Sequence, residues 1–336
     1  MKLKMKHSES HSIVVPLYNE EAVIDAFHKR LTTALEGLEN VEIVYVDDGS
    51  NDSTPEKVAR IQQSDPRVKC ISLARNFGHQ AALSAGLDVA SGTTVTMLDG
   101  DLQHPPELIP ELIAEWRKGA DIVFAVKKAR RGESWFKRWS AHVFYRLIRS
   151  LAHLDIPPDV ADFRLIDARV AQALRGMREG NRYLRGLVGW LGMRRAYVEF
   201  TSDERQAGES KYAFRHMFGL AADAVFSFSV LPLRIAAATG AVIAVAGLVY
   251  AVYAIYVKFA LGRAVEGWTS LLVVVLLFGG IQLLTLGLLG EYVGRIHDEV
   301  RRRPLYVVQE TSGFDQDIET HYASSPLPYA ARWRDS

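Results

Sequence analysis

Asp99 and Asp101 sit two apart in the run Leu98-Asp99-Gly100-Asp101-Leu102-Gln103, directly after the β-branched stretch Thr93 to Leu98. Where a chain leaves a strand, carboxylates at that spacing suit a hard divalent cation. One faces the metal while the other contacts a ribose or also ligates, and Gly100 lets the backbone approach a diphosphate. Such a cation neutralises charge that develops on a departing diphosphate. A second acidic pair, Asp47-Asp48, follows Val44-Tyr45-Val46 and opens Gly49-Ser50-Asn51-Asp52-Ser53. This segment is a turn leading to a helix capped near Ser53, and its carboxylates are also able to accept hydrogen bonds from a base and a ribose. A lone acidic triplet is common in turns. Two acidic strand ends in one sheet point to a site.

Other candidate groups read more plainly. Arg130, Arg131, Lys137 and Arg138 alternate with Trp135, Phe136 and Trp139. This segment suits either an acceptor phosphate or a polybasic patch drawn to anionic lipid, at about 1 kcal/mol per basic residue. His79 and His104 are isolated and read as structural or, at best, as supports for residues that touch a ligand. Cys70, in the apolar run Val68 to Ile71, reads as buried strand packing; a single cysteine excludes an internal disulfide and fits a reducing compartment.

The elements that position these residues alternate. Strands are expected over Ser12–Pro16, Val41–Val46, Val68–Leu73 and Thr93–Leu98, and helices over Glu20–Leu38, Thr54–Ser64 and Gln80–Ala90. Pro105-Pro106 opens a further helix, where a first turn tolerates proline. This order predicts an α/β fold with a mostly parallel sheet covered on both faces, and ligands beyond the carboxyl ends of its strands. With a net charge of +1 over 336 residues, no global field draws in nucleic acid, so any anion site is local.

The last third differs in kind. Ile235–Val257 and Thr269–Gly290 run for 23 and 22 residues without a charge, each enough to cross a bilayer of about 30 Å. Arg234 precedes the first run, and Arg295, Arg301, Arg302 and Arg303 follow the second, against Lys258 and Arg263 in the connecting loop. The positive-inside rule then places the N-terminal part and the C-terminus in the cytoplasm, on a multi-pass protein of the inner membrane. Met1 to Ser12, polar with three lysines, lacks the apolar core of a signal peptide. The expected divisions are 1–210 catalytic, 211–230 an amphipathic interfacial helix, 231–293 two membrane helices and 294–336 a cytoplasmic segment. Within the last, Leu305–Val308 reads as a short strand and Thr311–Ser336 as a polar, weakly ordered tail.

Several motifs together resemble one family. Val15-Pro16-Leu17-Tyr18-Asn19-Glu20, Val46-Asp47-Asp48-Gly49-Ser50 and Asp99-Gly100-Asp101-Leu102-Gln103-His104-Pro105-Pro106-Glu107 are similar to the family 2 glycosyltransferase pattern. With Asp162-Phe163-Arg164 and Arg205-Gln206-Ala207-Gly208-Glu209-Ser210-Lys211-Tyr212, they resemble its polyprenyl-phosphate branch, which includes dolichyl-phosphate mannose synthases and bactoprenol glucosyltransferases. The likeness implies a GT-A, Rossmann-like catalytic domain and inversion at the anomeric carbon. Pro16, Tyr18, Glu20, Val46 and Asp48 match nucleoside positions. Asp99, Asp101 and Gln103 match positions for Mg²⁺ or Mn²⁺ and the diphosphate. Arg205 and Lys211 match a basic pair that grips the donor, and Lys127 stands where the mannose synthases have arginine. Arg130 and Arg131 fall to the acceptor phosphate. Asp162 matches a proposed base, and also reads as an ion-pair partner of Arg164 or another arginine.

The resemblance implies an enzyme that moves sugar from a nucleotide diphosphate to polyprenyl phosphate. UDP-glucose is the preferred donor; GDP-mannose, UDP-N-acetylglucosamine and a formylated aminoarabinose nucleotide are alternatives. Bacterial members suggest a homotetramer. A membrane transport component with a nucleotide-binding domain is the competing class, but the two apolar runs carry no ionisable residue to mark an ion path. A nucleotide-sensing scaffold is a third, opposed by the intact Asp99, Asp101 and Gln103.

Overall fold

Short β-branched runs separated by amphipathic helices fold into one sheet. The computed structural model describes residues 9–127, 160–180, 182–200, 231–260, 267–314 and 330–332. The basic segment with Arg130 and Arg131, the Arg205 to Tyr212 motif and the expected interfacial helix lie outside these residues. In chain order the elements are β1 (His11–Leu17), α1 (Ile24–Ala34), β2 (Val41–Asp47), α2 (Thr54–Ser64), β3 (Val68–Leu73), α3 (His79–Val89) and β4 (Thr94–Met97). A 3₁₀ turn (Pro106–Leu108), α4 (Ile109–Arg117), β5 (Ile122–Lys127), β6 (Val160–Asp167), α5 (Ala168–Gly176), α6 (Leu184–Trp190) and β7 (Arg195–Phe200) follow. The chain continues through α7 (Leu231–Ala260), α8 (Trp268–Arg301), β8 (Tyr306–Ser312) and β9 (Ala330–Arg332).

Among the described residues, nine strands form one sheet in the order β7-β5-β6-β4-β1-β2-β3-β8-β9. β4, β1, β2 and β3 are parallel neighbours, whereas β6 is antiparallel to both β4 and β5. The sheet is thus mostly parallel, with helices in its crossovers. Ile13, Val15 and Leu17 of β1 join Phe27 and Leu31 of α1 and Leu112 and Trp116 of α4 in one buried cluster. On the opposite face α3 lies close to the sheet: a Cβ on Gly86 would come 2.3 Å from Val14 Cγ1. Glycine at that helical position sets the distance between α3 and β1.

Most strand and helix ends fall within a residue of the sequence expectation, and two regions differ by more. The helix expected from Glu20 starts at Ile24, because Asn19 turns with φ 55° and the Glu20 carbonyl accepts from Val23 and Ile24 instead. It ends before Gly37, at φ 82°. The polar tail is corrected more substantially. Tyr306–Ser312 is a full strand, antiparallel to β3, and Ala330–Arg332 adds a parallel strand beyond it. Tyr306 is buried, with its hydroxyl donating to Asp88 Oδ2 at 2.6 Å, and Arg178 forks onto the same carboxylate at 2.6 and 2.8 Å. The short strand expected at Leu305–Val308 is present, and the polar residues Gln309 to Ser312 hid its continuation.

The sheet with its helices is one compact unit; α7 and α8 belong to another. The most apolar 18-residue stretches within Leu231–Val257 and Val273–Arg301 have mean hydropathies of 2.2 and 2.3, and none of their residues is buried within the protein. Core helices of soluble domains hide such faces, so these two suit a bilayer. α8 continues past Gly290 into charged turns, where Arg295 pairs with Glu291 at 2.8 Å, one helical turn apart.

Candidate active site

β1, β2 and β4 end along one edge of the sheet, and antiparallel β6 begins there. Each end delivers polar groups. Pro16 pairs in register with Val46, and beyond them the two following loops are laced together. The Asn19 amide donates to Ser50 Oγ and Asn19 Oδ1 accepts from the Asn51 amide, both at 2.9 Å. The Glu20 amide donates to Thr54 Oγ1, also at 2.9 Å. Tyr18 projects beside them, substantially exposed. Gly49 is required by its backbone: φ is 69°, and a Cβ would sit 2.5 Å from the Arg75 carbonyl carbon.

Asp48 is buried and accepts from the Phe77 and Gly78 amides at 2.7 and 2.9 Å. Burial still pushes its carboxyl above the ordinary value. These hydrogen bonds pin the loop that opens α3, in which Gly78 takes φ 99° and His79 is the first helical residue.

After β4, Asp99 lies between two histidines. Its amide donates to His104 Nδ1 at 3.2 Å, its Oδ2 is 3.4 Å from that nitrogen, and its Oδ1 is 3.4 Å from His79 Nε2. Asp99 Oδ1 is buried yet has no hydrogen bond. Burial raises the Asp99 carboxyl's proton affinity, countered by the two histidines. Asp101 is oriented by Gln103, whose side-chain amide donates to Oδ2 at 2.6 Å and whose backbone amide donates to Oδ1 at 3.0 Å. Leu102, between them, adopts φ 62°, a conformation that costs a non-glycine residue about 1 kcal/mol or more. Gly100 has a different reason from the expected approach to a ligand: a Cβ there would meet Leu17 Cδ2 at 2.7 Å.

Asp162, from β6, completes the cluster. Its Oδ1 pairs with the fully buried Arg164, while its Oδ2 is 3.2 Å from Arg185 of α6 and 3.7 Å from His79 Nε2. Burial opposes its charge, but the hydrogen bond from His79 and the guanidinium groups of Arg164 and Arg185 outweigh it, holding the carboxyl well below the usual range. Glu20 goes the other way. Burial, then the nearby charges of Asp101, Asp52 and Asp99, push it up to about 7.

The site is therefore short of positive charge near Asp99, Asp101 and Glu20. Among the described residues no three His, Cys, Asp or Glu side chains are arranged to hold a metal alone. Two carboxylates fit Mg²⁺ or Mn²⁺ when phosphate oxygens complete the shell, and Asp99 Oδ1 is an acceptor still to be satisfied. The donor set fits a divalent cation shared with a diphosphate.

Comparison with known proteins matches residues 12–175 to glycosyl transferase family 2 and residues 231–296 to the GtrB C-terminal hairpin. An uncharacterised glycosyltransferase of Bacillus subtilis is 44% identical over 312 residues, covering 93% of this chain and 97% of its own. The bactoprenol glucosyl transferase of Shigella phage SfII is 40% identical over 302 residues, covering 89% of this chain and 97% of its own. The chain is a family 2 glycosyltransferase. Among solved structures, a mannosyltransferase from Pyrobaculum calidifontis aligns with a TM-score of 0.48 at 18% identity, over 66% of this chain and 64% of that one.

Within this glycosyltransferase the fold brings Pro16, Tyr18, Glu20, Val46, Asp48, Asp99, Asp101, Gln103 and Asp162 to one sheet edge. Lys127 ends β5, in register with Phe200 of β7. The sequence reading did not place His79 and His104 beside Asp99; the other arginine it allowed for Asp162 is Arg185. A signal was present for His79: it opens the helix that follows a third parallel strand, after a glycine turn.

Proposed function

We propose that this glycosyltransferase moves a sugar, with inversion, from a nucleotide diphosphate to polyprenyl phosphate at the cytoplasmic face of a membrane, and that the donor is UDP-glucose. The observation that carries this reading is the convergence of Asp48, Asp99, Asp101 and Asp162 on one sheet edge in a chain that also has two bilayer-length apolar helices. The name of the phage relative, a bactoprenol glucosyl transferase, supports the acceptor and the sugar.

Tyr18, Glu20 and Asp48 hold the nucleoside in this reading, and Asp99 and Asp101 hold the cation, with Gln103 orienting Asp101. That cation supplies neutralisation of the leaving diphosphate. A polyprenyl phosphate is already an anionic nucleophile, so the protein's task is in-line placement of its oxygen on the anomeric carbon. Asp162, kept ionised by cationic neighbours, is a weak proton acceptor and serves placement. Arg130 and Arg131 fork onto the acceptor phosphate, with Lys127, Arg205 and Lys211 gripping the donor.

The test is a donor screen with purified protein, undecaprenyl phosphate and radiolabelled UDP-glucose, UDP-N-acetylglucosamine and GDP-mannose. Lipid-linked glucose is expected, abolished by EDTA and restored by Mn²⁺. Asp101→Ala lowers kcat by about 10²-fold or more. Transfer undiminished in chelator overturns the metal assignment, and labelling from another donor alone overturns the choice of sugar.

A further inference from the structure

His79 Nε2 faces both Asp99 and Asp162, at 3.4 and 3.7 Å. Three features place it there. β3 leads into Phe77 and Gly78, whose amides are held by Asp48 at the end of β2. Gly78, at φ 99°, redirects the chain so that α3 begins at His79. Arg164 and Arg185 take the other contacts of Asp162, fixing the carboxylate against which the imidazole rests.

The residue type runs against its local position. The amino end of a helix favours acceptors and negative charge, and a basic ring there gains nothing from the helix itself. Its partners explain the choice. Asp99 and Asp162 would repel each other across this gap; the imidazole places its Nε2 edge between the two carboxylates. Oriented in this way, Asp99 keeps one face towards His104 and the β4 end. Groups that orient a ligating carboxylate commonly change metal affinity or activity by about 10–100-fold when removed.

We propose that His79 is a positioning residue that ties Asp99 to the Asp162–Arg164–Arg185 cluster and so sets the geometry in which Asp99 meets a divalent cation and the donor diphosphate. The inference rests on the metal-dependent transfer proposed above and assigns that site a further residue.

The experiment compares wild type, His79→Ala and His79→Gln in the full-length, detergent-solubilised protein. Mn²⁺ affinity is read from the electron paramagnetic resonance signal of free Mn²⁺ in the presence of UDP, alongside thermal unfolding and transfer kinetics over a Mn²⁺ titration. His79→Ala is expected to weaken Mn²⁺ binding by about tenfold or more and to move the Mn²⁺ dependence of transfer by a similar factor. His79→Gln, which retains one donor, is expected to fall between Ala and wild type with its unfolding midpoint unchanged. A folded Ala or Gln variant with wild-type Mn²⁺ affinity and wild-type transfer overturns the proposal. If Ala fails to fold, the Gln variant decides. Because Mn²⁺ binding is read without turnover, a wild type that binds Mn²⁺ with UDP but transfers no sugar defeats the proposed reaction and leaves the role of His79 to be judged on affinity.

Discussion

At the scale of single residues, Asp162 carries two roles that make different predictions. As a base it would be expendable to the fold. As the counter-ion of a fully buried Arg164 it is structural, since removing one partner of a buried pair leaves an uncompensated charge and costs about 3–5 kcal/mol. Asp162→Asn is therefore expected to lower stability by that order in chemical denaturation, together with activity; unchanged stability with activity lost would return Asp162 to the base role. This distinction was only half visible in the sequence. Asp162 and Arg164 are two apart on one face of a strand, so their pairing was legible from the strand period. Arg185 and His79 come from elements far away in sequence, and nothing local indicates that β6 meets both. The same limit hid the two histidines beside Asp99. The acidic strand ends, by contrast, announced themselves, because Asp, Gly and Asn cluster where a buried run stops.

Individual elements were legible where one periodicity governed them. α2 and β3 fall on Thr54–Ser64 and Val68–Leu73 as expected, since α2 buries Thr54, Val58 and Ile61 at helical spacing and β3 is a short, mostly buried apolar run. Ends set by side-chain hydrogen bonds, such as that of α1, were less so. One element junction deserves a measurement. Glu42 of β2 accepts from Lys69 Nζ at 2.6 Å and from the Ser91 amide at 2.7 Å, and it also accepts from the Ser12 hydroxyl. It thereby fastens β1, β3 and the loop before β4 at the end of the sheet away from the site. Burial would raise its carboxyl, but these contacts outweigh it and hold the group below its ordinary 4.5. A depressed native value means that the unfolded chain binds the proton more tightly, so Glu42 stabilises fully above about pH 4.5 and loses this contribution as pH falls through the native value. Glu42→Gln is expected to cost about 1–3 kcal/mol at pH 7 and to flatten the acid limb of stability against pH. An acid limb identical to wild type would show that Glu42 does not control it.

For the whole molecule, the return of the chain into the sheet after α8 changes what a truncation means. Ending the protein at Val230 removes the apolar helices but also β8, and with it the partner of β3 and the buried Tyr306–Asp88 hydrogen bond. Such a fragment is expected to aggregate through its bared β3 edge, whereas full-length Tyr306→Phe stays soluble and loses about 0.5–1.5 kcal/mol. A monomeric, fully stable fragment in size-exclusion chromatography and thermal unfolding would contradict this. The pairing of β3 with β8 also orders events in time. Translation at ~5–20 residues per second delivers β8 roughly 10–50 s after β3 has left the ribosome. Throughout that interval both hydrophobic helices are synthesised while the catalytic sheet is still open on one side. Because β3 and β8 end as neighbours in one sheet, they lie in the same compartment, so if α7 and α8 cross a bilayer, as the proposed function requires, they must cross it as a pair. Any insertion event that stranded one helix in the bilayer and passed the other through would leave β8 on the wrong side, unable to close the enzyme. Under the proposed membrane anchoring, completion of the catalytic sheet would thus check that both helices had inserted correctly.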